Sequence, residues 1–198
     1  IKNRVIAAAQ CNADAIIISK ATPHLTIPEH KKYVSINSKW GHLAYIDVAK
    51  KSEIDELTVR KFNKLTEEIG IPVIWSVTDS QAVTWVKDNT NCENVKVHFD
   101  AFNDYETWDM CGKVFKTTCV PFNIELLPKF IANYYKAKIG YEGRCAGIFP
   151  DCAVVFKNPD YVEKFLGDPG NDFNESILTP TMFYDFFVNM NQLEIANG

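Results

Sequence analysis

The chain has 198 residues, 46% of them apolar and 23% charged, and a formal net charge of −4. That length supports one sizeable core, the apolar fraction excludes a disordered chain, and no apolar run approaches the roughly 18 residues of a membrane span. The mildly acidic balance, with no basic block, argues against a general nucleic-acid binder.

In chain order, Ile1 to Cys11 carries apolar residues at helical spacing, and Asn12 ends that helix. Ala13 to Ser19 is a near-continuous apolar run, as expected of a strand buried on both faces. A long irregular stretch is expected from Lys20 to about Gly41. Ser52 reads as the cap of the next helix, with Asp55 in a capping box and Gly70 as its stop. Ile71 to Val77 reads as a strand, Asp79-Ser80 as the start of a helix through Val86, and Asn94 to Phe99 and Val114 to Thr118 as further strands. Leu126 to Tyr135 is an expected helix leading into Ile139-Gly140-Tyr141, and Ala153 to Lys157 the expected last strand. Thr179-Pro180 opens a closing helix with Phe183, Phe186, Phe187, Met190 and Leu193 on its buried face. Strands alternating with helices give an α/β fold with a parallel sheet, in one domain over residues 1–198.

In such folds functional groups collect at the C-terminal ends of strands. Lys96 lies between Val95 and Val97 and two positions before His98, so Lys96 and His98 share one face while the valines take the other. Facing the inside of a barrel, Lys96 would bind phosphate or carboxylate, or act as a Schiff-base amine. The plain alternatives are a solvated edge lysine and a hydrogen-bonded structural histidine. Lys157 ends its expected strand in the same way, with a solvated strand end as its alternative. Ser76, Thr78 and Asp79 form a polar strand end, explained as well by a helix cap. Thr117 and Thr118 are hydroxyl donors for a phosphate or sugar, and the turn from Gly140 through Tyr141 to Arg144 offers an anion contact through Arg144. His24, His30 and His42 show no ligand spacing, and serine-hydrolase elbow, P-loop and Gly-x-Gly-x-x-Gly motifs are absent.

The cysteines, at 11, 92, 111, 119, 145 and 152, include no pair two residues apart, so metal-ribbon and thioredoxin spacings are absent. They read as reduced thiols in a cytoplasmic protein; the sequon Asn174-Glu175-Ser176 is the one feature favouring secretion. The first residue is Ile1 and not Met, so a start upstream is expected.

Several segments, in this order, resemble the sialic acid synthase (NeuB-type) family. Ala13-Asp14-Ala15-Ile16 is similar to the entry to its second strand, and Ile69 to Val86 to its third strand and following helix. Val95-Lys96-Val97 resembles its Tyr-Lys-Ile strand, Phe115 to Pro121 its His-Cys-Thr-Ser-x-Tyr-Pro, Ile139-Gly140-Tyr141 its Val-Gly-Tyr, and Glu175 to Phe183 its Ser-Leu-x-Pro-x-x-Phe. The resemblance implies a TIM-barrel-like (β/α) barrel, incomplete or reduced, with about six of eight strands visible and no antifreeze-like C-terminal domain. It implies an ancestral condensation of phosphoenolpyruvate with an N-acetyl-hexosamine, with Lys96 as the phosphoenolpyruvate lysine. Ser76, Thr117 and Thr118 would be hydroxyls at the mouth, and Tyr141 would start the metal loop. Departures accompany it: Ile17 stands at a lysine position, Arg144 at a ligand histidine, and Phe156-Lys157-Asn158 at the family's Glu-Lys-His. One strand–helix unit is expected to be missing between Asp100 and Val114. With these losses the family's Mn²⁺ or Mg²⁺ is not expected here, and the expected partner is a small anionic or sugar ligand. A non-catalytic binding or regulatory protein, self-associating or paired with an active homologue, is the alternative to a working synthase.

Overall fold

The computed structural model describes residues 2–122, 136–144, 147–154, 158–167 and 177–197, leaving aside the side chains of 118–122, 149, 150 and 197. Helix α1 (Lys2–Gln10) precedes strand β1 (Ile16–Lys20). The stretch expected to be irregular holds two single-turn helices, α2 (Pro23–Thr26) and α3 (Glu29–Lys32), and an antiparallel hairpin of β2 (Ser35–Ser38) and β3 (Gly41–Ala44). Helices α4 (Tyr45–Ser52) and α5 (Glu56–Ile69) follow, then β4 (Val73–Val77), α6 (Ser80–Asn89), β5 (Asn94–Val97), α7 (Tyr105–Val114) and β6 (Thr117–Phe122). The remaining described elements are β7 (Lys138–Gly143), α8 (Phe149–Val154), β8 (Tyr161–Leu166), β9 (Ile177–Leu178) and α9 (Pro180–Asn197). Among the described residues, seven strands form one sheet in the order β1-β4-β5-β6-β7-β8-β9, every pair parallel. No described helix is long and apolar enough to cross a membrane.

Local chemistry explains the boundaries. Asp55 caps α5 by accepting from the Thr58 N–H, and Gly70 closes it at φ 77°, a left-handed conformation suited to glycine. Ser52, expected as that cap, instead ends α4, because the polar turn 53–55 separates two helices rather than opening one. Asp79 caps α6 through the Ala82 N–H. Its carboxylate also accepts from the Thr22 N–H (2.8 Å), the Thr22 hydroxyl (2.7 Å) and the Thr78 hydroxyl (3.0 Å), tying the loop after β1 to the loop after β4.

The outward-facing valines of β4 and β5, with Trp75, pack under α1, α5, α6 and α7 around Phe62, Val83, Val86 and Trp108. A second cluster gathers Leu178 with Phe183, Phe186 and Met190 of α9 beside Cys11. The free cysteines Cys11, Cys92, Cys111 and Cys152 lie in or beside these layers, and burial pushes the Cys111 thiol up to about 12.

Three expectations are corrected. The interval 100–114 holds α7, capped by Asp104 and buried through Thr107, Trp108 and Cys111, so no unit is missing there. Ala153 and Val154 end a helix instead of starting a strand; a short apolar run fits either state, and these two residues continue α8. Strand β6 starts at Thr117, so its threonines open the strand rather than close it. The expected helix 126–135 lies outside the described residues.

Candidate active site at the strand ends

Register places Ser76, Lys96, Glu142 and Glu163 on one face of the sheet, since Ser76 pairs with Lys96 and Glu142 with Glu163. The sheet order puts β5 and β8 three spacings apart, about 14 Å were the sheet flat. The Lys96 Nζ nevertheless lies 2.6 Å and 2.8 Å from the two carboxylate oxygens of Glu163, and 3.0 Å from Glu142 Oε2. The sheet is therefore curled, with this face concave and these side chains converging across it.

Lys96 is 2% exposed, so the solvated-edge alternative does not describe it. An ammonium has three N–H donors, and three carboxylate oxygens surround this one. Arg144, just past β7, sets its Nε 2.5 Å from Glu142 Oε1 and leaves the rest of its guanidinium at the exposed rim. Two cations and two carboxylates thus form a charge-balanced chain, Arg144–Glu142–Lys96–Glu163. Burial raises the Glu142 carboxyl, but Lys96 and Arg144 together outweigh it and hold that group below the ordinary carboxylate range. Burial raises Glu163 and the charge of Glu142 adds to it; Lys96 does not offset them, so Glu163 lies above its ordinary value.

Beside Lys96, Ser76 is fully buried, and its hydroxyl has no hydrogen-bond partner among the described residues. His98 stands at the same end. Its Nδ1 accepts from the Asp100 N–H at 3.2 Å, and burial lowers its pKa, so it is a neutral imidazole near pH 7. Lys20, at the end of β1, is occupied by Glu53 (2.7 Å) and lies over the Trp85 ring at 4.6 Å.

The structure thus gathers four of the sequence-predicted residues, Ser76, Lys96, His98 and Arg144. Tyr141 is not among them. It is buried on the opposite, helix-facing side, where its side chain hydrogen-bonds Asp151. Thr117 sits at the start of β6, the far end of the sheet from the mouth, because the strand begins later than expected. Thr118 shares that end, its side chain outside the description, and Lys157 lies outside the described residues.

Glu142 and Glu163 were missed as site residues. The resemblance sets the family's Glu-Lys-His at 156–158, whereas β8 carries a Glu-Lys pair of its own, Glu163-Lys164. On the helix-facing side Lys164 makes a 2.7 Å ion pair with Asp151 of α8, both side chains fully buried. The two faces of β7 and β8 are locked back to back, one ion pair outside and the Lys96 chain inside.

These donors do not fit a divalent cation. Both carboxylates are engaged by Lys96, and the two cationic side chains Lys96 and Arg144 share the space, which disfavours a further positive charge. Among the described residues no group of three or more His, Cys, Asp and Glu side chains could hold a metal ion.

The sequence profile described as the NeuB family matches residues 4–122. No curated protein matches the chain. Among solved structures, the N-acetylneuraminic acid (sialic acid) synthetase of Leptospira borgpetersenii serovar Hardjo-bovis aligns with a TM-score of 0.80 at 11% identity, over 100% of this chain and 79% of that one. A putative spore coat polysaccharide biosynthesis protein E from Chromobacterium violaceum gives 0.76 at 12% identity, over 100% and 70%. A truncated 3-deoxy-D-arabino-heptulosonate 7-phosphate synthase from Thermotoga maritima gives 0.68 at 8% identity, over 98% and 81%. At such identities the likeness is one of fold.

Proposed function

The chain belongs to the NeuB family, and on that premise we propose that it is a sialic acid synthase-like protein of carbohydrate biosynthesis whose curled sheet is a reduced (β/α) barrel. Its mouth binds a small anionic or sugar ligand beside Ser76, Lys96 and Arg144. The observation that carries this reading is the buried Ser76 hydroxyl next to Lys96, which has no partner among the described residues, with the outer guanidinium nitrogens of Arg144 at the rim. A buried hydroxyl without a partner calls for an occupant, and a guanidinium edge matches carboxylate or phosphate.

The family's condensation of phosphoenolpyruvate with an N-acetyl-hexosamine is not the activity we propose for this chain acting alone. Removing one transition-state charge contact typically costs about 10²–10³ in rate, and here the counter-charge at Lys96 is already spent on two glutamates. A binding or regulatory role is the reading that remains.

Calorimetry with phosphoenolpyruvate and with N-acetylmannosamine tests it, on wild type, Lys96→Ala and Arg144→Ala. Heat in the wild type that both variants lose supports the site; no heat with either compound sinks it. Consumption of phosphoenolpyruvate with N-acetylmannosamine and Mn²⁺ would overturn the non-catalytic part alone.

A further inference from the structure

Lys96 has no donor left to give. Its three N–H groups face three carboxylate oxygens at 2.6–3.0 Å, and the side chains of Glu142 and Glu163 are only 6% and 9% exposed. A carboxylate or phosphate arriving at this ammonium therefore meets two buried anions, and the chain through Arg144 has no spare positive charge. We propose that an anionic ligand occupies Lys96 only together with a proton, and that Glu163 is the group that takes it. The inference rests on the ligand site proposed above and adds how that site is controlled.

The choice of Glu163 over Glu142 follows from their neighbours. Glu142 has two cationic partners, Lys96 from β5 and Arg144 from the end of β7. Among the described residues Glu163, on β8, has Lys96 as its one cationic partner in contact. The other groups facing it are the carboxylate of Glu142 on β7 and the guanidinium of Arg144; the neutral His98 and the Ser76 hydroxyl stand beside its partner Lys96, and Tyr161 is two residues back on its own strand. Burial and the charge of Glu142 both favour its neutral form. Once protonated it still accepts from Lys96 through its carbonyl oxygen. The O–H becomes a donor, and one ammonium N–H is released to the ligand. The step moves one proton from solvent to one carboxylate oxygen and breaks no other covalent bond. The ligand class is a small carboxylate or phosphate, including a sugar acid.

The test is calorimetry with phosphoenolpyruvate in two buffers of unequal ionisation enthalpy, which counts protons taken up per ligand bound. Near neutral pH we expect close to one proton at the protein, with Kd falling about tenfold for each unit of pH lowered over the linked range. Glu163→Gln carries the neutral form permanently. It is expected to bind more tightly than wild type at neutral pH, without proton uptake and without that pH slope. Its circular dichroism and melting curve establish that it is folded. Wild-type heat with no proton uptake, or a Glu163→Gln variant that still takes up a proton, overturns this inference and leaves the ligand site standing. Absence of heat in both folded proteins overturns the ligand site, and this inference falls with it.

Discussion

Gly143 lies against Asp151 so closely that a methyl group on residue 143 would sit 2.0 Å from Asp151 Oδ1 and 3.2 Å from Lys164 Cδ. Asp151 cannot easily retreat, because its carboxylate is held 2.7 Å from the buried Lys164 ammonium. Gly143 is the residue between Glu142 and Arg144, so this close approach also sets how the mouth loop leaves β7. Gly143→Ala is expected to destabilise by about 2–3 kcal/mol, the range of core overpacking. For a chain of this size that lowers Tm by roughly 4–12 °C, which calorimetry would detect. Gly112 in α7 has nothing within 4 Å of the same added atom. There Gly→Ala is expected to stabilise by about 0.5–1 kcal/mol.

The Asp151–Lys164 pair gives a second expectation. Asp151→Ala leaves a buried ammonium without its counter-charge and should cost about 3–5 kcal/mol, whereas an apolar replacement of both partners, Asp151→Leu with Lys164→Met, should recover most of that loss. Denaturant unfolding of the three proteins checks this. A double variant no better than the single would show that the pair does more than neutralise itself.

The two mouth glutamates predict opposite pH dependences. Glu163, with its carboxyl raised by burial, contributes stability that is present below the ordinary carboxylate range and lost as pH rises through its folded value. Glu142, held low by Lys96 and Arg144 against its burial, contributes stability that is present above that range and lost as pH falls through its folded value. The Tm of Glu163→Gln relative to wild type should therefore rise as pH increases upward from the ordinary carboxylate range, and that of Glu142→Gln should fall as pH increases toward that range from below. Equal offsets at all pH values would count against both.

Asp79 holds two loops at once. Replacing it by alanine removes the α6 cap, worth about 1–2 kcal/mol, and also both bonds to Thr22. A total cost near 2–3 kcal/mol is expected, with faster amide exchange at Thr22 and Ala82. Asp79→Asn, which keeps an acceptor oxygen, should lose less than half of that.

A Schiff-base role for Lys96 predicts a covalent adduct when pyruvate is added with borohydride. The Lys96 Nζ is fully engaged by Glu142 and Glu163 and is not offered to a carbonyl carbon, so we expect no mass increase at Lys96. A trapped adduct there would reverse that assignment.

The sequence made visible the elements whose burial is apolar. Ile16–Ile18, Val73–Trp75 and Val95–Val97 are buried or half-buried strands whose side chains read as what they are, and Asp79 as a cap declares itself beside Ser80. Strand β8 reads Tyr-Val-Glu-Lys-Phe-Leu and gives no strand signal, because a glutamate and a lysine in succession look like a solvated segment. Their burial is settled by Lys96 and Asp151, which are 67 and 13 residues away in sequence. No local pattern encodes those partners. Lys96 was singled out by its flanking valines, but its neutralisation by Glu142 and Glu163 depends on the curl of the sheet, a property of six or seven strands together. The hairpin of β2 and β3 was missed because its turn, Lys39-Trp40, lacks the Asn-Gly or Asp-Gly pair that marks a two-residue connection.

The Lys96 chain also constrains how this protein can change over time. Glu142, Lys96 and Glu163 come from three strands, and each is tolerable only while the others are present. Replacing Lys96 alone strands two buried carboxylates, and replacing Glu142 alone removes the anchor of Arg144. The routes open to a drifting sequence are therefore concerted ones, in which a new ligand at this mouth could arise only after the ammonium had been retired. History at this mouth acts as a ratchet, and its catch is an ion pair.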